Sequence, residues 1–242
     1  MILQSFLQSF LQSFVKHIEE MRSRIIKSVG AFILAFCLSY HFVGKLIPIL
    51  IAPAGHLIFT APTEAFSAYM TVGALLALFI ASPYIVYQLW AFIGGALKPS
   101  EKKFIYIFAP LSLFFFLSGA AFAFFLALPR AYHFMMSFSS DYFVPMVTVK
   151  NYLGFLWHMV LAFGVAFELP LILAFLAKIG IASPEYLRQM RRQAVMIILI
   201  VAALLAPPDV ISMLILAVPL ILLYELGIIF VGIFYDRKES SV

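Results

Sequence analysis

The chain has 242 residues, 64% apolar and only 11% charged, with a net charge of +5. No soluble domain of this size has interior enough to hide so much apolar surface, so an ordinary soluble fold is excluded. The basic residues punctuate the apolar runs rather than forming one patch, which gives no reason to invoke nucleic acid. The single Cys37 reads as a small packing residue, rules out an intrachain disulfide framework and leaves no Cys/His metal spacing.

The first 14 residues repeat Leu-Gln-Ser-Phe at 3–6, 7–10 and 11–14. A period of four drifts slowly around a helix, so the repeat is either an amphipathic helix on the inner membrane surface or an incidental expansion. It is not a cleavable signal, because no basic region precedes it and Gln and Ser interrupt its apolar residues. Residues 1–24 are therefore expected to be a cytoplasmic tail, 25–235 a transmembrane domain and 236–242 a second cytoplasmic tail.

Six apolar segments follow: Ile25 to Val43, Tyr69 to Leu97, Phe104 to Leu128, Asn151 to Ala177, Ala194 to Ala206 and Val210 to Tyr235. The expected fold class is an all-α integral membrane protein. The fifth segment reaches only about 20 Å against a hydrocarbon core of about 30 Å. Pro207-Pro208-Asp209 then breaks the helix. Segments five and six form either a re-entrant hairpin or true spans that thin the bilayer. With six crossings and a cytoplasmic N-terminus, only Lys45, Arg130 and Lys150 of the 16 basic residues lie outside, as the positive-inside rule requires. The outer stretches, Gly44 to Phe66 and Pro129 to Lys150, read as folded caps, with Thr63 and Glu64 placed to cap the second span.

Glu168 lies within the fourth apolar segment. A carboxylate at mid-bilayer costs at least about 2.5–3.5 kcal/mol, so it needs a partner, a water-filled pocket or a proton. His158 is ten residues away, about 15 Å along the axis, which excludes a direct pair on one helix. Glu225 is a second acid in an apolar segment and is expected to snorkel or to pair with a lysine. On the cytoplasmic side, acids lie among bases in His17-Ile18-Glu19-Glu20-Met21-Arg22-Ser23-Arg24 and in Lys98-Pro99-Ser100-Glu101-Lys102-Lys103. Glu20 and Arg24, four apart, can simply pair. The functional alternative is a pocket whose carboxylates receive a cationic partner, for which arginine's planar fork is well suited. No nucleophile–base signature, phosphate loop or metal motif is present, so no catalytic residue and no cofactor are expected. A proton-coupled small-solute transporter with Glu168 as proton site is the rival reading, though no inverted repeat is visible between the halves.

Six stretches occur together: His17-x-x-Glu20-Met21-Arg22-x-Arg24; Ser82-Pro83-x-x-x-Tyr87-Gln88-x-Trp90-Ala91-Phe92-Ile93; Leu97-x-x-x-Glu101-Lys102; Phe163-Gly164-Val165-Ala166-Phe167-Glu168-Leu169-Pro170; Ser183-Pro184-Glu185-x-Leu187-Arg188; and Pro207-Pro208-Asp209-Val210-x-Ser212. In this order they resemble the TatC family, the polytopic subunit of the twin-arginine protein translocase. Met21 departs from the usual Leu, and the leader repeat has no counterpart. The resemblance implies six membrane helices in a concave, glove-like bundle, the fifth and sixth short, with both termini cytoplasmic in the inner membrane. It implies binding of twin-arginine signal peptides at Glu20 and Glu101, with Arg22 nearby. It also implies that Glu168 meets polar groups of TatA-like or TatB-like single-span subunits, and that Pro170, Pro207, Pro208 and Asp209 are helix-break positions. A homo-oligomeric receptor complex driven by the proton-motive force completes the expectation.

Overall fold

A computed structural model describes residues 2–55, 57–97, 102–138, 146–205 and 210–234. They form α1 (Ile2–Ser39), α2 (Val43–Ile51), α3 (Pro62–Ala96), α4 (Ile105–Phe122), α5 (Leu128–Met136), α6 (Val149–Ala166), α7 (Leu169–Lys178), α8 (Pro184–Gln189), α9 (Arg191–Leu205) and α10 (Val210–Phe234). Among the described residues, five stretches are long and apolar enough to cross a membrane: His17–Ala54, Pro62–Gly95, Lys102–Met136, Val149–Lys178 and Met213–Gly232. The all-α, multi-span expectation therefore holds.

Several details differ from expectation. The leader repeat runs without a break into α1, a single helix of 38 residues, while the stretch apolar enough to cross a membrane begins only at His17. Cys37 is exposed on α1 rather than packed. α9 is short, at 15 residues, but α10 has 25 and reaches about 37 Å, so the sixth segment is not short. Pro207, Pro208 and Asp209 lie outside the described residues.

The fourth segment is not one helix. α6 stops at Ala166, and α7 begins at Leu169 with Pro170 in its first turn. Proline lacks the N–H that would bond to the carbonyl four residues back, and its ring clashes there. For Pro170 that carbonyl belongs to Ala166, where α6 ends. Pro83 poses the same problem inside α3, where it deprives Phe79 of a donor. Here the helix continues, because the Ser82 hydroxyl donates to the Phe79 carbonyl at 2.8 Å. Side-chain rescue of this kind is how proline is tolerated in hydrocarbon.

The main pairings are α1 with α3, α7 with α10, and α4 with α6. Small residues set them, as expected where lipid gives no hydrophobic drive for helix association. Ala35 meets Ala77 and Ala81, and buried Ser39 donates to Gly73 O at 2.9 Å, tying α1 to α3. α6 is the hub, with Tyr152, Leu153, Leu156, Met159 and Phe163 almost wholly buried. Gly119 on α4 lies so close to α6 that a Cβ would collide with the Phe163 carbonyl.

The outer segments do fold as a cap. Ile58 N–H donates to Val147 O at 3.1 Å and Val149 N–H to Ile58 O at 2.9 Å, joining the two loops. Tyr132 and Tyr152 hydroxyls donate to Ala54 O and Leu50 O at 3.2 and 3.0 Å. Thr63 does not cap α3: the N-cap is Ala61. Glu64 instead accepts from Thr60 N–H at 3.1 Å and from its hydroxyl at 2.8 Å, an acidic clasp in the first turn.

Gly119→Val should force α4 and α6 apart and cost about 1–3 kcal/mol, the usual penalty of overpacking. Thermal unfolding in detergent should show a lower Tm. An unchanged Tm would mean that the α4–α6 approach is not a determinant of stability.

Candidate receptor site and intramembrane acid

Glu20 faces inward from α1 toward the C-terminal end of α3, against Gly95. Arg24, one turn along, donates from Nε and Nη2 to Glu20 Oε1 at 3.1 and 2.7 Å. Its Nη1 donates to Gln88 Oε1 on α3 at 3.2 Å. Gln88 is buried at 6% exposure, whereas Arg24 and Glu20 side chains are 25% and 32% exposed. The Glu20 carboxylate lies against Gly95, whose Cβ would stand 3.2 Å from Oε2. The simple pairing expected of Glu20 and Arg24 is therefore present.

The functional alternative also has a physical basis. A cavity of about 480 Å³ opens beside the pair, lined by Arg24, Tyr87, Trp90, Gly94, Gly95 and Lys102 among others. Trp90 is 3% exposed, and its Nε1 has no hydrogen-bond partner among the described residues. Lys102 brings the α3–α4 connection to this cavity. Glu101 itself lies outside the described residues. Arg22, two positions from Glu20 and so not on its face, is exposed and joins no part of this arrangement.

Glu168 sits in the turn between α6 and α7, at the N-cap position of α7, and is partly buried. The ten residues of α7 span about 15 Å, half a hydrocarbon core, before Lys178 is reached. The carboxyl accepts a hydrogen bond from the Ser112 hydroxyl on α4 at 2.9 Å. His158 is occupied elsewhere, with Nδ1 2.7 Å from Gly154 O.

Glu20 and Glu168 do not converge. An aromatic cluster links their surroundings: Trp90 meets Phe175 edge-on at 4.9 Å, and Phe108 meets both rings at 5.7 and 5.4 Å. Phe108 is one turn from Ser112 on α4. Glu225 makes a structural ion pair, but with Arg191 at 2.7 Å rather than with a lysine, and Tyr224 donates to Leu187 O at 2.9 Å. These two interactions pin α10 to α8 and α9.

Sequence reading missed Gln88 and Ser112 as partners. Gln88 is a polar residue in an apolar helix, which is a usable signal. Nothing in the sequence marks Ser112, 56 positions from Glu168.

Similarity to known proteins follows the same lines. The family description "Sec-independent protein translocase protein (TatC)" matches residues 16–219. The chain belongs to the TatC family. It is 39% identical over 233 residues to the Sec-independent protein translocase protein TatC of Desulforapulum autotrophicum, covering 93% of this chain and 86% of that one. The corresponding protein of Carboxydothermus hydrogenoformans is 38% identical, with 93% and 95% covered. A crystal structure of the twin-arginine translocase receptor TatC superposes with a TM-score of 0.82 at 34% identity, over 90% of this chain and 99% of the other. TatC chains are translocase subunits rather than enzymes or small-solute transporters, which sets aside the proton-coupled rival.

Ser112→Ala should leave the Glu168 carboxyl without its donor and lower stability by about 1–3 kcal/mol. Ser112→Thr should restore it. A double-mutant cycle of Ser112→Ala with Glu168→Leu, read by thermal unfolding, should give a coupling of about 0.5–3 kcal/mol; strict additivity would show that the hydrogen bond contributes nothing.

Proposed function

We propose that this TatC-family chain, a core receptor subunit of the twin-arginine translocase, takes the paired arginines of cargo signal peptides at Glu20 and Glu101 on its cytoplasmic face. The observation that carries this reading is the Glu20 carboxylate beside an open cavity, already making with Arg24 the kind of pairing a cargo arginine would make. Charge-assisted, forked bonds to carboxylate favour arginine over lysine. Lys102, next in sequence to Glu101, lines the same cavity, which supports a shared site. Arg22 stands on the exposed surface of the same α1 segment, available to groups flanking the arginine pair.

The wider reading follows from the family and from charge placement. α9 counts as a sixth crossing, making a concave, glove-like bundle with both termini cytoplasmic in the inner membrane. Thinning of the bilayer is supported only at α9. TatA-like and TatB-like single-span subunits supply the polar group that Glu168 faces, in a homo-oligomeric complex driven by the proton-motive force.

Photo-crosslinking in native membranes tests the site. A probe beside the arginine pair should label the wild-type chain. Labelling should drop at least about tenfold with Glu20→Ala or Glu101→Ala, and equally when Lys-Lys replaces Arg-Arg, if each change removes a buried or partly buried charge pairing. Labelling indifferent to all three changes would leave the two acids as ordinary surface pairs.

A further inference from the structure

The carboxylate assigned to cargo is already engaged by the chain itself. All three guanidinium nitrogens of Arg24 are used, two on Glu20 and one on buried Gln88. Gln88 fixes the plane of the guanidinium from α3, and that plane fixes the Glu20 carboxylate. An arriving arginine therefore meets an arginine in its place.

We propose that Arg24 is an internal stand-in for the cargo arginine, holding Glu20 in the resting receptor and leaving it when cargo binds. This rests on the reading of Glu20 as a receptor carboxylate. The exchange makes Arg24 a determinant of specificity. When arginine replaces arginine, the hydrogen bonds to the carboxylate are remade in kind. When lysine replaces arginine, a planar fork gives way to a point charge, because an ammonium cannot present two parallel donors in a plane. A bare Glu20 would attract either cation; a Glu20 held by Arg24 gives way only to a competitor of equal geometry.

The surroundings allow the exchange. On the α3 side of the cavity, Ile105 packs over Gly94, and at Gly95 a side chain would press on the Glu20 carboxylate at 3.2 Å, so glycine there leaves the carboxylate room. The cavity borders Arg24 directly and carries Tyr87, Trp90 and Tyr106. Aromatic faces accept a guanidinium, so one can rest there while the other holds Glu20. Trp90 Nε1, buried without a partner among the described residues, gives a donor for a peptide carbonyl beside the exchanged side chain.

The test uses the full-length chain in nanodiscs and fluorescent signal peptides carrying Arg-Arg or Lys-Lys. Arg24→Gln should tighten Arg-Arg binding about twofold to fivefold, the worth of an exposed ion pair, and tighten Lys-Lys binding more, so that the Arg/Lys preference narrows. Arg24→Lys, which keeps the charge, and Gln88→Leu, which keeps Arg24 but frees it, should shift both affinities the same way by less. They guard against a folding defect in the first variant. Weaker Arg-Arg binding in all three variants would show that Arg24 positions Glu20 instead, and an unchanged preference would show an inert pair; either overturns the exchange. Wild-type binding insensitive to Glu20→Ala would overturn the receptor assignment of Glu20 itself, a separate failure.

Discussion

Every backbone donor and acceptor in hydrocarbon must be met from within the protein, and the architecture follows from how this chain does so around its prolines. At Pro83 the carbonyl freed at Phe79 is met by Ser82, and α3 stays whole. At Pro170 no such side chain stands ready, so the helix ends and restarts. The restart sets Glu168 at the head of α7 instead of on a helix flank. One motif is Ser-Pro and the other Glu-Leu-Pro. Pro219 inside α10 follows Val218 and Pro110 inside α4 follows Ala109, so a donor before the proline is one way, not the only way, in which these helices stay whole.

The break also decides what Glu168 can touch. A carboxyl at the start of α7 is directed toward α4, where Ser112 meets it, and α4 is held against α6 by the side-chain-free surface of Gly119. From Ser112 one turn leads to Phe108, which packs on Trp90 and Phe175. Trp90 in turn lines the cavity beside Arg24. The two acids are thus neighbours of one rigid aromatic cluster. That is physical continuity and does not by itself establish energetic coupling.

Much of this is legible in the sequence because membrane proteins write their spans in composition. The apolar runs and the Glu20/Arg24 spacing each rest on one periodic or additive rule. Misreadings arise where rules compete. Pro170 reads as a break position, yet the run from Asn151 to Ala177 reads as one helix because hydropathy does not register a missing hydrogen bond. Thr63 looks like a cap, but Pro62 occupies the first helical position and Glu64 reaches back to Thr60 instead. A short sixth helix is expected from the family resemblance, although its own apolar run is full length. The partners Gln88 and Ser112 are tertiary facts, since each meets its charged group across more than 50 positions of chain.

The two acids solve the same problem in different dielectrics, and this sets what each can do. Glu20 is at mid-α1, three residues into the apolar stretch that begins at His17, partly exposed and paired with a full positive charge. Separating such a pair costs about 0–1 kcal/mol in water-like surroundings, so the partner can be exchanged. Glu168 lies about 15 Å from the nearest membrane-end charge on its helix and has a neutral hydroxyl as its partner. A serine hydroxyl can donate to a carboxylate or accept from a carboxylic acid, so it does not force either state. One hydrogen bond to a charged group supplies about 1.5–3 kcal/mol, which at best approaches the lowest transfer cost of about 2.5–3.5 kcal/mol. Glu20 thus has a charged partner that can be exchanged at a partly exposed site, while Glu168, on a neutral hydroxyl, still calls for a further polar partner, water or a proton.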